Sequence, residues 1–396
     1  MKGHYLYIAM GLVWAGMLAC TEDVPQMNDA DESASRIYLS AGISETVSSR
    51  TPYYPTDDQG NALRVPTTIH PLNVSVWAST EEGKYPNNGW DGQNNNTDDD
   101  PDNDNKVAIH TYAKFQSGEP QLLGEAVYPK PVEGQTIDVH FVGLHPRSEV
   151  GEGGSKWSPS DDKQKAGYTF TGKEDVMFAP KTTGTYGLDY ENNSDLIPTF
   201  NFSHLLTWLR VEIVADEWET EVTQSEKISK AWGKVKSLTI KSKNQVVVDL
   251  TGDKDDVTFG GEELWMKFYH IGTDNEFSYS QKGEGYQIPY TAINEVAYVM
   301  CAPVVGEDKD GLQEEVPEYT LHLVTENREL DIPIDLKNSD GSYFTESTMG
   351  KQFTIQLKFK MGNVITVLTE IKVGGELDWY THGTGTGDLT EENLSN

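Results

Sequence analysis

Cys20 carries the most specific chemistry in this chain. It closes Met17-Leu18-Ala19-Cys20, after a short basic start at Lys2 and a nearly uncharged apolar run from Tyr5 to Gly16. An apolar run this short is a secretory h-region, because a membrane span needs ~20 residues to cross the hydrocarbon core. Ending the run on cysteine, with small Ala19 before it, looks like a bacterial lipobox. Residues 1–19 are then expected to leave as a signal peptide, and the Cys20 thiol to carry acyl chains such as palmitate. Met17 stands where leucine is commonest in such sites, and Glu22 and Asp23 resemble an export signal to the outside of the outer membrane. The expected product is a cell-surface lipoprotein precursor, anchored to the membrane and not spanning it.

Other reactive residue types lack the spacing that chemistry needs. Asp98 to Asp104 offers carboxylates for calcium, but without the EF-hand spacing or its closing glutamate. It reads as a solvated acidic loop, and no cofactor or metal is expected. The histidines at 110, 140, 145, 204, 270 and 322 form no HExxH motif. His140 and His204 lie in strand patterns and read as structural. Ser203-His204 adjacency does not place a hydroxyl on an imidazole, and no GxSxG elbow is present. Glu262-Glu263 and Glu314-Glu315 are the paired acids a glycosidase could use, yet in a chain with 63 acidic residues such pairs arise by chance. Catalysis is therefore not expected. Among the tryptophans, Trp77 and Trp208 read as core. Trp90 and Trp157, in Gly/Asp/Ser-rich loops, are the candidates for an exposed binding surface.

The charge balance narrows the partners. The 396 residues carry a formal net charge of −32. A surface this acidic repels phosphate backbones, which excludes nucleic acid, and repels anionic lipid, which leaves attachment to the acyl chains. With Cys20 acylated, Cys301 has no partner for a disulfide. Its apolar context, Val299-Met300-Cys301-Ala302-Pro303, predicts a buried, inert thiol.

The elements that must position any site are short strands. Ile37 to Ile43 is strand-like, and Leu72 to Ala78, Ile137 to Val142 and Val211 to Val214 alternate with a period of two. Further strands are expected at 235–240, 246–250, 297–302, 319–325, 329–334, 353–360 and 364–373. No segment keeps a 3.6-residue period for long. The expected fold is all-β, with two β-sandwiches in tandem over residues 51–217 and 218–380, the boundary lying in polar Trp218 to Ala231. Residues 20–50 are read as a lipidated tether ending in a strand, and residues 381–396 as a polar, flexible tail.

Several segments together resemble the fimbrillin family, the lipoprotein precursors of type V pilins. They are Val139-His140-Phe141-Val142-Gly143-Leu144-His145-Pro146, Asp175-Val176-Met177-Phe178-Ala179, Phe200-Asn201-Phe202-Ser203-His204-Leu205, and Gly350-Lys351-Gln352-Phe353-Thr354-Ile355, followed by a strand closing on Trp379. Their order and spacing span most of the chain. Gly143-Leu144-His145 departs from the family in standing where aromatics are usual.

The resemblance implies two transthyretin-like β-sandwich domains and no enzymatic activity. It also implies assembly into a fimbria, in which a trypsin-like protease removes the N-terminal strand and a strand of another subunit replaces it. The residues agree with that route. Ile37 to Val47 is strand-like and lies between a polar tether and Arg50, the expected cut site, with Arg36 and Arg64 as rivals. The expected partners are other pilin subunits, the outer membrane through the lipid, and a host or glycan adhesion target, with this chain as tip or accessory subunit. The alternative function is a glycan-binding surface lipoprotein of a polysaccharide-uptake system, which needs no cut at Arg50.

Overall fold

Alternating apolar and polar residues build strands throughout this chain, with glycine and polar clusters between them. The computed structural model describes residues 36–43, 72–83, 85, 108–115, 121–128, 136–147, 157–159, 164–188, 193–215, 227–228, 230–253, 255–271, 275–289, 294–305, 319–336, 347–360, 365–370 and 384–388. The fold is all-β, as expected, and the described strands form three sheets.

Numbering the strands along the chain, the first sheet runs β3 (Ala108–Phe115), β2 (Leu72–Ser79), β5 (Asp138–His145), β8 (Met177–Thr185), β9 (Thr199–His204), β1 (Arg36–Ile43) and β4 (Gln121–Val127). Neighbours are antiparallel except β1 and β9, which are parallel. Its end strands β3 and β4 lie in contact, so the sheet curls back on itself around a core that includes Ile37, Leu39, Val74, Phe115, Phe141 and Phe202.

The second sheet runs β13 (Tyr269–His270), β14 (Asn294–Cys301), β10 (Thr207–Ala215), β17 (Gln352–Phe359), β18 (Ile365–Glu370) and β19 (Thr384–Asp388). The third runs β16 (Glu329–Ile334), β15 (Tyr319–Thr325), β11 (Val235–Asp249), β7 (Lys165–Thr169) and β6 (Ser158–Pro159), with β12 (Val257–Lys267) also on β11. Leu209, Val211 and Ile355 of the second sheet share one core with Leu238, Ile240 and Leu321 of the third. That core also takes Trp77, Val142, Leu144 and Phe178 from the first sheet, so the three sheets pack continuously. Strand pairing crosses residue 218, because β7 and β10 precede it and pair with β11, β14 and β17 beyond it.

Several features differ from the sequence reading, among them the strands at Ala108–Phe115, Gln121–Val127, Lys165–Thr169 and Val257–Lys267, which it does not contain. Residues 235–240 and 246–250 are not two strands but one, β11, kept continuous by an irregularity between Lys243 and Gln245 opposite β12. The tail expected to be irregular contributes β19, whose Thr-Gly-Thr-Gly-Asp backbone pairs with β18. An edge strand needs only its own amides and carbonyls for that ladder, so a polar sequence suffices. Glu212, a polar position of an alternating strand, is buried on β10, where it accepts a 2.9 Å hydrogen bond from Gln356 Nε2.

Gly143 explains itself in this packing. A Cβ built there would lie 2.8 Å from Phe202 Cζ and 3.2 Å from Phe202 Cε1, so the missing side chain is the space that the Phe202 ring occupies. Gly143→Ala should therefore overpack the first core and lower stability by about 1–3 kcal/mol. The shift in the urea denaturation midpoint checks this, with the slope unchanged.

Candidate functional site: the slot of the first strand

The first strand reads Arg-Ile-Tyr-Leu-Ser-Ala-Gly-Ile. Its alternation sends one set of side chains inward. Ile37, Leu39 and Ala41 are 0%, 1% and 5% exposed, while Tyr38 and Ser40 stay partly open. The strand changes partner halfway along. Arg36 to Leu39 run antiparallel to β4, and Ser40 to Ile43 run parallel to Thr199–Phe202 of β9. The Ser40 amide also donates to the Pro198 carbonyl at 3.0 Å. Thus β1 is an interior strand of the first sheet, and it bridges two strands that do not pair with each other.

Aromatic rings line the slot. Phe200 meets Phe115 edge-on at 6.3 Å and Phe202 at 5.6 Å, and Tyr128 meets Phe141 edge-on at 6.4 Å. Burying Ile37 and Leu39 against this set contributes on the order of 3–6 kcal/mol. Withdrawing β1 would open an apolar groove and strip the ladder from facing edges of β4 and β9, leaving amides and carbonyls without partners. Such a slot demands an extended, alternating replacement. In sequence, β1 joins β2 through residues 44–71, which contain Arg50 and Arg64.

One end of the slot's sheet is braced by buried polar groups. His204, at the end of β9, places Nδ1 2.8 Å from Asp175 Oδ1, and both side chains are almost wholly buried. His145, at the end of β5, places Nδ1 2.7 Å from the Asn73 carbonyl, so that nitrogen carries the proton and donates. Burial pulls the His145 pKa below its ordinary value against the opposing charge of Asp175. His204 thus has the structural role expected of it. His140 is also held, with Nδ1 3.0 Å from Thr183 Oγ1.

The tryptophan reading is corrected at one position. Trp157 is not exposed: it is 1% accessible, its Nε1–H donates to the Pro146 carbonyl at 2.9 Å, and its ring packs 5.0 Å from Tyr168. A buried acceptor for the indole N–H removes the cost that would otherwise keep the ring at the surface. Trp77 and Trp208 are core, as read. Cys301 is buried, and burial pushes its thiol up to about 12, which keeps it protonated and unreactive. Cys20, Arg50, Arg64, Trp90, Asp98 to Asp104 and Glu314-Glu315 lie outside the described residues. Among the described residues, the exposed tryptophan is Trp265 on β12. The signal was available in its flanking Glu263 and Lys267, which alternation puts on its own face of the strand.

No protein-family model matches this chain, and no curated protein matches it. Solved structures similar to it include a candidate cell adhesion protein from Bacteroides uniformis ATCC 8492, with 13% identity, a TM-score of 0.42, and 90% of this chain and 99% of that chain covered. A fimbrial assembly protein from Parabacteroides distasonis ATCC 8503 is similar at 10% identity and a TM-score of 0.34, over 84% of this chain and 94% of that one. A candidate polysaccharide-binding protein from Bacteroides thetaiotaomicron VPI-5482 is similar at 7% identity and a TM-score of 0.37, over 91% of this chain and 99% of that one. Likeness of this degree carries no functional argument.

His145 also sets a pH dependence. Its folded pKa lies below the unfolded value of about 6.5, so as pH falls through 6.5 the unfolded chain takes up the proton first. Stability is full above that pH and is lost as pH falls toward the folded pKa. His270, also lowered by burial, adds a slope of the same sign. Urea denaturation between pH 7.5 and 5 should show the loss, and His145→Gln should flatten part of it.

Proposed function

We propose that this chain is a structural, adhesive subunit of a cell-surface fimbria that polymerises by strand exchange. A trypsin-like protease hydrolyses the bond after Arg50, the segment carrying β1 departs, and an extended strand of another subunit enters the slot between β9 and β4. The observation that carries this reading is the position of β1. It is the first described strand, yet it sits inside the sheet, paired with β4 through its first half and with β9 through its second, with Ile37, Leu39 and Ala41 pointing into the core. The reading rests on that slot and not on the likenesses above. Before the cut, acyl chains on Cys20 hold the precursor at the outer membrane. The chain has no catalytic role in this account.

The residue types of segments 365–370 and 381–396 support a tip or accessory position. A donor strand must offer apolar side chains at alternate positions. Residues 381–396 hold only Leu389 and Leu394 as large aliphatics, and Thr384–Asp388 is already the edge partner of β18. The better donor sequence, β18, is paired along its length with β17. The chain therefore accepts a strand more readily than it gives one.

Limited trypsin digestion of the precursor should produce a new N-terminus at Thr51, read by mass spectrometry, and convert monomer to oligomer. Arg50→Ala should stay full-length and monomeric with β1 in place. Normal polymerisation of Arg50→Ala would contradict the reading.

A further inference from the structure

Away from the slot, the third sheet carries an aromatic face that strand exchange does not use. Trp265 is 44% exposed, whereas Trp77, Trp157, Trp208 and Trp232 are all buried. On β12 it lies opposite Lys241 of β11, and its ring reaches His322 of β15, with centroids 5.3 Å apart and planes tilted by 49°. His322 is fixed in turn by β16. Its Nδ1 is 2.6 Å from Asp331 Oδ1, and its Nε2 is 3.4 Å from Glu329 Oε1. Lys241 pairs with Glu263 at 2.9 Å on the same face. The indole therefore rests against a ring that two carboxylates of β16 hold in place, and does not hang free.

A single exposed apolar residue is ordinary, but an indole ring braced among paired polar groups is a preorganised contact surface. Its chemistry selects the occupant. Carboxylates of Asp331, Glu329 and Glu263 alternate with the ammonium of Lys241, and each already has a partner of opposite or complementary kind. The face thus offers several carboxylate acceptors and one ammonium donor, and its field is negative. An anion would be repelled by three carboxylates, and a cation would compete with Lys241 and His322 for carboxylates that are already engaged. A neutral, hydroxyl-rich ring meets neither penalty: its apolar C–H face can lie on the indole π-face, while its rim hydroxyls donate to the carboxylates.

We propose that Trp265, braced by His322 and flanked by Asp331, Glu263 and Lys241, is a binding platform for a pyranose unit of a neutral oligosaccharide. Trp265 supplies the stacking surface and His322 positions it. The site does not depend on strand exchange and is present in the monomer.

The test is isothermal titration calorimetry of the full chain with cellohexaose, xylohexaose and mannohexaose. At least one should bind saturably in the millimolar range. Trp265→Ala should weaken that binding about tenfold or more, Trp265→Phe should retain part of it, and His322→Ala should weaken it severalfold while leaving the circular dichroism spectrum unchanged. No saturable binding of any of the three sugars would overturn the proposal, as would binding that Trp265→Ala leaves intact. Binding of decalysine in their place would assign the face to a cationic partner and overturn it as well.

Discussion

The pairing of β1 with both β4 and β9 closes the first sheet, and the first core is organised around that closure. Ile37 and Leu39 fill a space framed by Phe115, Phe200 and Phe202, and no other described strand runs between β9 and β4. Both halves of the constraint act together. The side chains supply apolar burial, and the backbone carries one ladder along its first half and a second along the other. Neither need specifies which chain supplies the strand. Any extended segment with small or aliphatic residues at alternate positions meets it, so the slot is selective for pattern and permissive about origin.

An acceptor must hold its shape while it exchanges one strand for another. The packing of the three sheets gives a physical reason to expect that here. Trp77, Val142, Leu144 and Phe178 turn the back of the first sheet into the larger core, while Asp175 and His204 join the loop before β8 to the end of β9. The parallel partner of β1 is therefore anchored at its far end by a buried pair that does not involve β1. Gly143 lets the Phe202 ring of that same strand lie close over β5. In the proposed exchange, the strand that would receive a replacement is held from its other side.

Much of this was legible from residue order. The alternation of Ile37, Leu39 and Ala41 announces a half-buried strand, and Tyr319 to Thr325 reads equally well, since burial on one face imposes a period of two. What was hidden had weak side-chain signals. The segment Val257–Lys267 contains Gly260-Gly261 and Glu262-Glu263 and is mostly exposed, so its place in the sheet comes from the backbone ladder with β11 and leaves little pattern. The same holds for Thr384–Asp388. Trp157 misled because loop composition describes the chain around a ring and not where the ring points. Trp265 was marked only by its flanking Glu263 and Lys267, and its neighbours on the sheet face appear once β12, β11 and β15 are placed side by side.

The central claim is that one replaceable strand completes the first sheet. Hydrogen exchange with mass spectrometry on the protein cut after Arg50 addresses it directly, comparing peptides that cover Thr199–His204 and Gln121–Val127 before and after a synthetic peptide of residues 36–47 is added. The account predicts strong protection in the precursor, loss of protection in both segments once the cut N-terminal segment is removed, and recovery when the peptide binds. Protection that stays unchanged when that segment is removed would contradict it.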